Sequence, residues 1–340
     1  MVTRPPESAE NPLEELRTAV ELLESEDDVN RDFLIAVDAP ATESVISEQS
    51  MAAYEYYQIP LNPDVYQSIQ GSAASQARRR LDEVDEGGRE LEEYSISNTE
   101  MDSVPLQYVE WNDIERPERY SRIMSADSLD TTSYEEKSDI AFQALRITSE
   151  RTDERIVALQ KFTRRQISAG SSGVRLTMGE ETYDPFDQAV ITIPERIDCL
   201  WYRDMIFVFR SKRFEDIFDY LEQYKRHANT VLRGIDESEL NIHNMDEFVE
   251  SIENDRRALR KMDSVQERGL YEDMERADVE DVVDEFDLGV EVQRNEEGEW
   301  GITIPDLRQK WDVIRLLNDD HVVSYVTDLQ YQVYGKDLRD

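Results

Sequence analysis

Short apolar runs separated by polar turns occupy the middle of the chain and predict an antiparallel sheet. The clearest pair is residues 197–201 and 205–209, and the polar residues Tyr202, Arg203 and Asp204 between them are typical of a tight hairpin. Earlier runs predict four further strands, at residues 141–148, 155–163, 174–178 and 190–193. Strands that follow one another so closely favour a meander, in which each strand pairs with the next.

Helical spacing of apolar residues begins directly after the hairpin and predicts one helix over residues 213–233. Beyond it, the pattern predicts helices within residues 245–287 and over 306–317, with a second hairpin at 290–304. The first 130 residues mix both patterns, with helices predicted at 13–23 and 63–84 and strands at 33–37, 94–96 and 106–111. The predicted fold class is α+β: an antiparallel β meander packed by helices, with a smaller N-terminal α+β part.

A polar stretch at residues 125–138, rich in Ser, Thr and Asp, is the best candidate for a linker. We therefore expect an N-terminal α+β domain over residues 1–130, whose role the sequence does not indicate. A second α+β domain is expected over residues 139–340. Two domains agree with the usual size of about 150 residues each.

The apolar hairpin, the helix that begins RFEDIF and the segment LLNDDHVVSYVTDLQYQVYGKDL together resemble the KwaB-like family. That family is the soluble component of the Kiwa anti-phage defence system, and this chain looks like an acidic member of haloarchaeal type. The resemblance covers roughly the C-terminal half. It implies a DNA-binding effector, a homodimer, and a small membrane protein of the same system as partner. No DNA-binding motif of the family maps onto individual residues here.

Acidic residues outnumber basic ones, with 77 Asp plus Glu against 38 Lys plus Arg and a formal net charge of −39. Because 39% of the residues are hydrophobic, the chain can still form a core. The acidic residues are dispersed and Lys is scarce, which favours adaptation to molar salt over a single acidic partner-binding surface. At 1 M salt the Debye length is about 3 Å, so the self-repulsion is screened.

Residues 155–233 differ from the rest of the chain, because they carry 13 basic and 11 acidic residues while the other 261 residues carry a net charge of −41. Within this segment, basic residues flank the small, flexible loop over residues 166–173. Guanidinium groups and loop amides are donors that phosphate oxygens accept. The predicted DNA-binding residues are Lys161, Arg164, Arg165, Arg175, Lys212 and Arg213.

The alternative interpretation of this charge is structural. Lys225, Arg226 and Arg233 lie late in the predicted helix, where they complement its dipole. The residues from Lys161 to Arg175 are equally compatible with a solvated surface. A separate basic run, residues 78–80, is followed directly by acidic residues, which favours local neutralisation.

The sequence lacks the motifs of phosphate-binding loops, dinucleotide folds and nucleophile elbows. Its three histidines, His227, His243 and His321, lie on separate elements, so we expect satisfied or exposed imidazoles rather than metal ligands. Cys199 is the only cysteine and lies in an apolar strand, which predicts a buried structural thiol. We expect no cofactor, no metal and no catalytic residue.

Two alternatives to a non-catalytic DNA-binding effector stay open. A metal-dependent nuclease would use Asp187, Asp198 and Lys212, because carboxylates and a lysine on adjacent strands can hold a metal and its substrate. The second alternative is a structural or scaffold protein. No apolar run reaches the ~20 residues of a membrane span and no signal sequence begins the chain. We expect a cytoplasmic protein whose membrane location, if any, comes from a partner.

Overall fold

A computed structural model describes most of the chain. The described residues are 11–38, 54–88, 90–95, 106–125, 128–134, 137, 139–168, 176–178, 183–185, 190–237, 240–295, 298–323 and 330–332. The chain forms two compact units. The first comprises Met1–Tyr94 with Pro105–Phe218, and the second comprises Ser95–Val104 with Asp219–Asp340.

Strands make up the centre of the first unit. They are β1 (Val29–Asp38), β2 (Tyr54–Gln58), β3 (Leu91–Glu93), β4 (Leu106–Glu110), β5 (Asp130–Thr131), β6 (Ile140–Ser149), β7 (Arg155–Lys161), β8 (Ile167–Ser168), β9 (Leu176–Met178), β10 (Tyr183–Pro185), β11 (Val190–Ile191), β12 (Cys199–Tyr202) and β13 (Met205–Val208). Its helices are α1 (Pro12–Glu24), α2 (Pro63–Asp85), α3 (Ser121–Met124) and α4 (Ser211–Ile217).

Nine of these strands form one sheet in the order β3-β4-β13-β12-β7-β6-β1-β2-β5. The outermost pairs, β3–β4 and β2–β5, are parallel, and the pairs between them are antiparallel. The α+β fold class is confirmed, and the predicted hairpin is present as β12–β13, with Tyr202 opposite Met205. The boundary predicted between residues 130 and 139 falls inside this unit, where β5 and β6 belong to the same sheet.

Helices α1 and α2 cover one face of the sheet. Each begins at a proline after an asparagine whose side-chain oxygen accepts a backbone N–H, Asn11 from Leu13 and Asn62 from Asp64. The helices and strands share one apolar core because alternate strand residues point toward it. Its fully buried members include Leu16, Val20, Ala77, Phe33, Ile35, Leu145, Leu200 and Phe207.

Aromatic side chains fill the space where α4 meets the sheet. Phe218, directly after α4, lies 4.8 Å from Tyr120 between ring centroids, and Tyr120 lies 6.2 Å from Phe142 on β6. Trp111 stacks on Trp201 of β12 at 4.0 Å. The first two contacts connect the end of α4 to β6 through Tyr120, and the stack joins Trp111 to the hairpin.

The single helix predicted over residues 213–233 is wrong. Two helices occupy this stretch, α4 and α5 (Tyr220–Glu237). Asp219 separates them with a φ of 56°, a left-handed conformation that a right-handed helix cannot contain. The apolar spacing continues across the break, so periodicity alone could not reveal it.

The second unit is mainly helical. After α5 it contains α6 (Met245–Glu253), α7 (Arg256–Arg268), α8 (Arg276–Glu285), β14 (Glu291–Arg294), β15 (Trp300–Thr303), α9 (Lys310–Leu317), β16 (His321–Val323) and β17 (Gln330–Gln332). Strands β14 and β15 form the predicted second hairpin, and β16 pairs with β17. Its core joins α5 and α7 through buried residues such as Val231, Ile235, Leu259 and Met262. Within the described ranges of both units, no helix combines the length and apolar character that crossing a membrane requires.

We predict that Leu200→Ala lowers the free energy of unfolding by about 2–5 kcal/mol, because Leu200 is fully buried at the centre of the sheet. The matched control is Leu307→Ala, whose side chain is 43% exposed and whose loss should change stability by less than about 0.5 kcal/mol. Urea unfolding followed by tryptophan fluorescence measures both. Equal effects from the two variants would contradict the assigned core.

Candidate nucleic-acid interface

A buried carboxylate, Asp198, lies where the ends of β7, β12 and β13 meet. Its side chain is 1% exposed, and its Oδ2 accepts the backbone N–H of Lys161 at 2.8 Å. The backbone carbonyl of Asp198 accepts the N–H groups of Phe209 at 3.0 Å and Arg210 at 3.1 Å, directly after β13. Asp198 therefore fixes the positions from which Lys161 and Arg210 leave the sheet.

Positive charges surround this carboxylate. The Nε atom of Arg210 lies 3.9 Å from Oδ1 of Asp198, and Oδ1 itself has no hydrogen-bond partner in the part of the chain that the structure describes. Burial raises the pKa of Asp198 above its ordinary value, while the Lys161 N–H and the charges of Arg210, Arg196 and Arg213 act in the opposite direction. One buried negative charge thus lies beneath several guanidinium groups.

Lys161 and Arg213, both predicted from the sequence, meet at one residue. Lys161 Nζ donates to the backbone oxygen of Asp216 at 3.1 Å, and Arg213 Nη1 lies 3.6 Å from the Asp216 carboxylate. Lys212, the neighbour of Arg213 on α4, is exposed and has no ion pair with any described residue. The structure therefore brings three of the six predicted residues to the same edge of the first unit.

Of the other three predicted residues, the structure describes only one in full. Arg164 begins a short 3₁₀ helix after β7, with its side chain 84% exposed and Nη2 3.5 Å from Asp139 Oδ1. Arg165 lies in the same 3₁₀ helix, and its side chain is outside the described residues. Arg175 lies entirely outside them. For all six residues the DNA-binding assignment stays a prediction.

Two arginines at this site, Arg196 and Arg210, were missed by the sequence analysis. Both flank the hairpin, Arg196 two residues before Asp198 and Arg210 just after β13. The hairpin register pairs Cys199 with Val208, so the residues immediately outside this pair become neighbours. Extending the predicted hairpin by two residues on each side would have found them.

The structure describes two of the three residues that the nuclease alternative names. Asp187 lies outside the described residues, Asp198 is buried against the Lys161 backbone, and Lys212 is exposed on α4. Among described residues, no three His, Cys, Asp or Glu side chains are positioned to hold a metal ion. Cys199 is buried as predicted, and burial raises the pKa of its thiol well above the ordinary value, which keeps it protonated.

The histidines fit the expectation except in one case. His227 is in hydrogen-bond contact with Asp263, and His243 Nδ1 lies 3.1 Å from Thr303 Oγ1. His321 is buried, and neither of its ring nitrogens has a hydrogen-bond partner among the described residues, so the expectation of a satisfied or exposed imidazole is not met there. Burial lowers the pKa of His321 and keeps the ring neutral.

Comparison with known proteins gives one match. A family model described as Kiwa protein KwaB-like matches residues 139–327, which is more than half of the chain. The matched segment contains Lys161, Arg164, Asp198 and the hairpin that positions them. No curated protein and no solved structure matches the chain.

We predict that Asp198→Asn is tolerated, because the amide oxygen can still accept the Lys161 N–H while a buried charge is removed. Since the folded protein raises the pKa of Asp198 above the unfolded value of about 3.9, the ionised carboxylate destabilises the fold at neutral pH. That penalty is lost as the pH falls through the folded pKa. The variant should therefore be as stable as the wild type or more stable by about 1 kcal/mol at pH 7, and this difference should shrink toward acid pH.

Urea unfolding at neutral and acid pH measures the effect of this substitution. Asp139→Asn is the matched control, since its side chain is 62% exposed and its change should stay within about 0.5 kcal/mol. A loss of more than about 2 kcal/mol in Asp198→Asn at pH 7 would show that the negative charge itself holds the site together.

Proposed function

The chain belongs to the Kiwa protein KwaB-like family, and from this premise we propose that it is a non-catalytic effector that binds DNA. Family membership implies a role in Kiwa anti-phage defence. The DNA-binding part of the proposal is supported by one observation, the cluster of basic side chains around Asp198 in a chain of net charge −39. A surface of opposite sign is unexpected in such a chain unless it binds an anion.

The arrangement favours contacts to phosphates over contacts to bases. Lys212 and Arg213 lie in the first turn of α4, a helix of seven residues that is too short to follow a major groove, and Arg164 extends from a single 3₁₀ turn. Basic groups at the ends of elements can reach phosphate oxygens without reading the base edges. We therefore expect binding with little sequence preference.

The proposed mechanism is occupancy. The protein would coat incoming phage DNA and obstruct its replication or transcription, which requires no bond to be broken by the protein. A homodimer would double the phosphate contacts and raise the apparent affinity. A small membrane protein of the same defence system is the proposed partner that reports phage attachment. Both the dimer and the membrane partner are proposed from the family alone.

The net charge affects how the proposed DNA affinity depends on salt concentration. At low salt the acidic surface repels DNA over a long range, whereas at 1 M the Debye length of about 3 Å leaves only close contacts effective. Each phosphate neutralised on duplex DNA lowers the logarithm of the binding constant by about 0.9 per tenfold rise in salt. Binding should therefore persist in molar KCl only through direct contacts at the basic cluster.

We predict that the wild-type protein shifts duplex DNA in an electrophoretic assay in molar KCl and leaves it uncut with or without Mg²⁺. Arg164→Gln with Lys212→Gln should weaken the shift for all sequences alike. It should also reduce the slope of binding against salt by about 2, because two phosphate contacts are lost.

Arg151→Gln with Arg308→Gln is the matched control. These arginines are 79% and 93% exposed, so the control removes the same charge from outside the basic cluster. Cleavage that depends on Mg²⁺ and is lost in Asp198→Ala would support the nuclease instead. No shift at any salt concentration, or equal weakening by the two double variants, would rule out the proposed surface.

A further inference from the structure

A concave site lined mainly by arginines lies beside the basic cluster, in the first unit. It has a volume of about 270 Å³, and four of its seven lining residues are Arg79, Arg80, Arg196 and Arg210. Gln76, Ile197 and Phe209 complete the lining. In the sequence, the run that contains Arg79 and Arg80 is followed directly by acidic residues, which predicted local neutralisation of its charge. No site was therefore predicted here.

Gln76 of α2 fixes the geometry of this cavity through two hydrogen bonds. Its Nε2 donates to the backbone oxygen of Glu195 at 2.6 Å, and its Oε1 accepts the N–H of Ile197 at 3.3 Å. These bonds fix the loop that carries Arg196 against α2. Arg79 and Arg80 follow Gln76 by three and four residues, so the helix presents them on the same side as Gln76.

Arg210 enters the cavity from the end of β13. Its backbone N–H donates to the Asp198 oxygen at 3.1 Å, which fixes where its side chain begins. Its Nε lies 3.9 Å from the Asp198 carboxylate, which is too far for a hydrogen bond. With this side chain 45% exposed, the guanidinium donors of Arg210 are available to a ligand.

The carboxylates near the cavity do not balance its arginines. Arg79 and Arg80 share one partner, Glu83, at 3.2 Å and 2.7 Å. Arg196 is exposed and has no ion pair with any described residue. Among the described residues, the carboxylates paired with these four guanidinium groups are Glu83 and the buried Asp198. Convergent guanidinium groups with free donors are the arrangement that phosphate groups favour.

We propose that this cavity binds a small phosphorylated molecule, a nucleoside phosphate, with its phosphates on the four arginines and its base against Ile197 and Phe209. Ligand pockets usually measure roughly 300–1,000 Å³, so this cavity suits a small ligand. A duplex, which is convex, would contact the outer surface rather than fill such a recess. Phe209 is a partly buried aromatic residue of the lining, and bases stack on aromatic rings.

The cavity shares Arg196 and Arg210 with the basic cluster around Asp198, but its test uses cavity residues while the DNA-binding test uses Arg164 and Lys212, so the two proposals can fail separately. It is tested by isothermal titration of the full chain with ADP, inorganic pyrophosphate and adenosine, at one salt concentration. ADP is expected to bind at one site per chain and more tightly than pyrophosphate, and adenosine is expected not to bind. Arg196→Gln with Arg210→Gln should weaken ADP binding by at least tenfold.

Two further variants keep the test decisive. Arg79→Gln removes a side chain that is 78% exposed, so the fold should survive, and ADP binding should weaken by about threefold or more. Arg151→Gln with Arg308→Gln should leave ADP affinity within twofold of wild type. Absence of ADP and pyrophosphate binding at millimolar concentration would overturn the proposal, as would unchanged affinity in the cavity variants. So would ADP binding no tighter than that of pyrophosphate. The cavity variants are also tested in the electrophoretic assay with duplex DNA. If they lose the shift and the protein binds no ADP, the cavity arginines bind DNA and the nucleotide proposal is wrong.

Discussion

The hydrogen bonds of Asp198 determine how positive charge is arranged on this protein. The side chain accepts the Lys161 N–H and the backbone carbonyl accepts that of Arg210, so one residue connects the ends of β7 and β13. From these ends, the Lys161 side chain reaches the backbone oxygen of Asp216, and the Arg210 side chain lines the cavity. Without these backbone contacts the same arginines would have no fixed geometry, and neither the surface nor the cavity would be defined.

The net charge of the chain makes this arrangement of basic side chains relevant to the binding of anions. A net charge of −39 repels polyanions, and the described basic side chains around Asp198 form a region of opposite sign. Asp198 is buried, so its charge lowers the local positive potential without itself being exposed to compete with phosphate. Asp216 and Asp139 also lie close to this region, 3.6 Å from Arg213 and 3.5 Å from Arg164. The proposed DNA-binding surface and the arginine-lined cavity share Asp198.

The sequence predicted local structure better than the site. The hairpin β12–β13 was predicted correctly because apolar alternation and a polar turn encode it. Lys161 and Arg213 were selected as candidates because they lie in a segment richer in basic residues. The break at Asp219 was missed because a positive φ leaves the apolar periodicity intact. The cavity was missed because Gln76 and Glu195 are 119 residues apart, and no local pattern reports their contact.

The most direct measurement is modification of arginines by phenylglyoxal, read by mass spectrometry, with and without duplex DNA in molar KCl. The account predicts that DNA protects Arg164 and Arg213 while Arg151 and Arg308 stay equally reactive. Protection spread evenly over all four, or confined to Arg151 and Arg308, would contradict the claim that the residues around Asp198 form the DNA-binding surface.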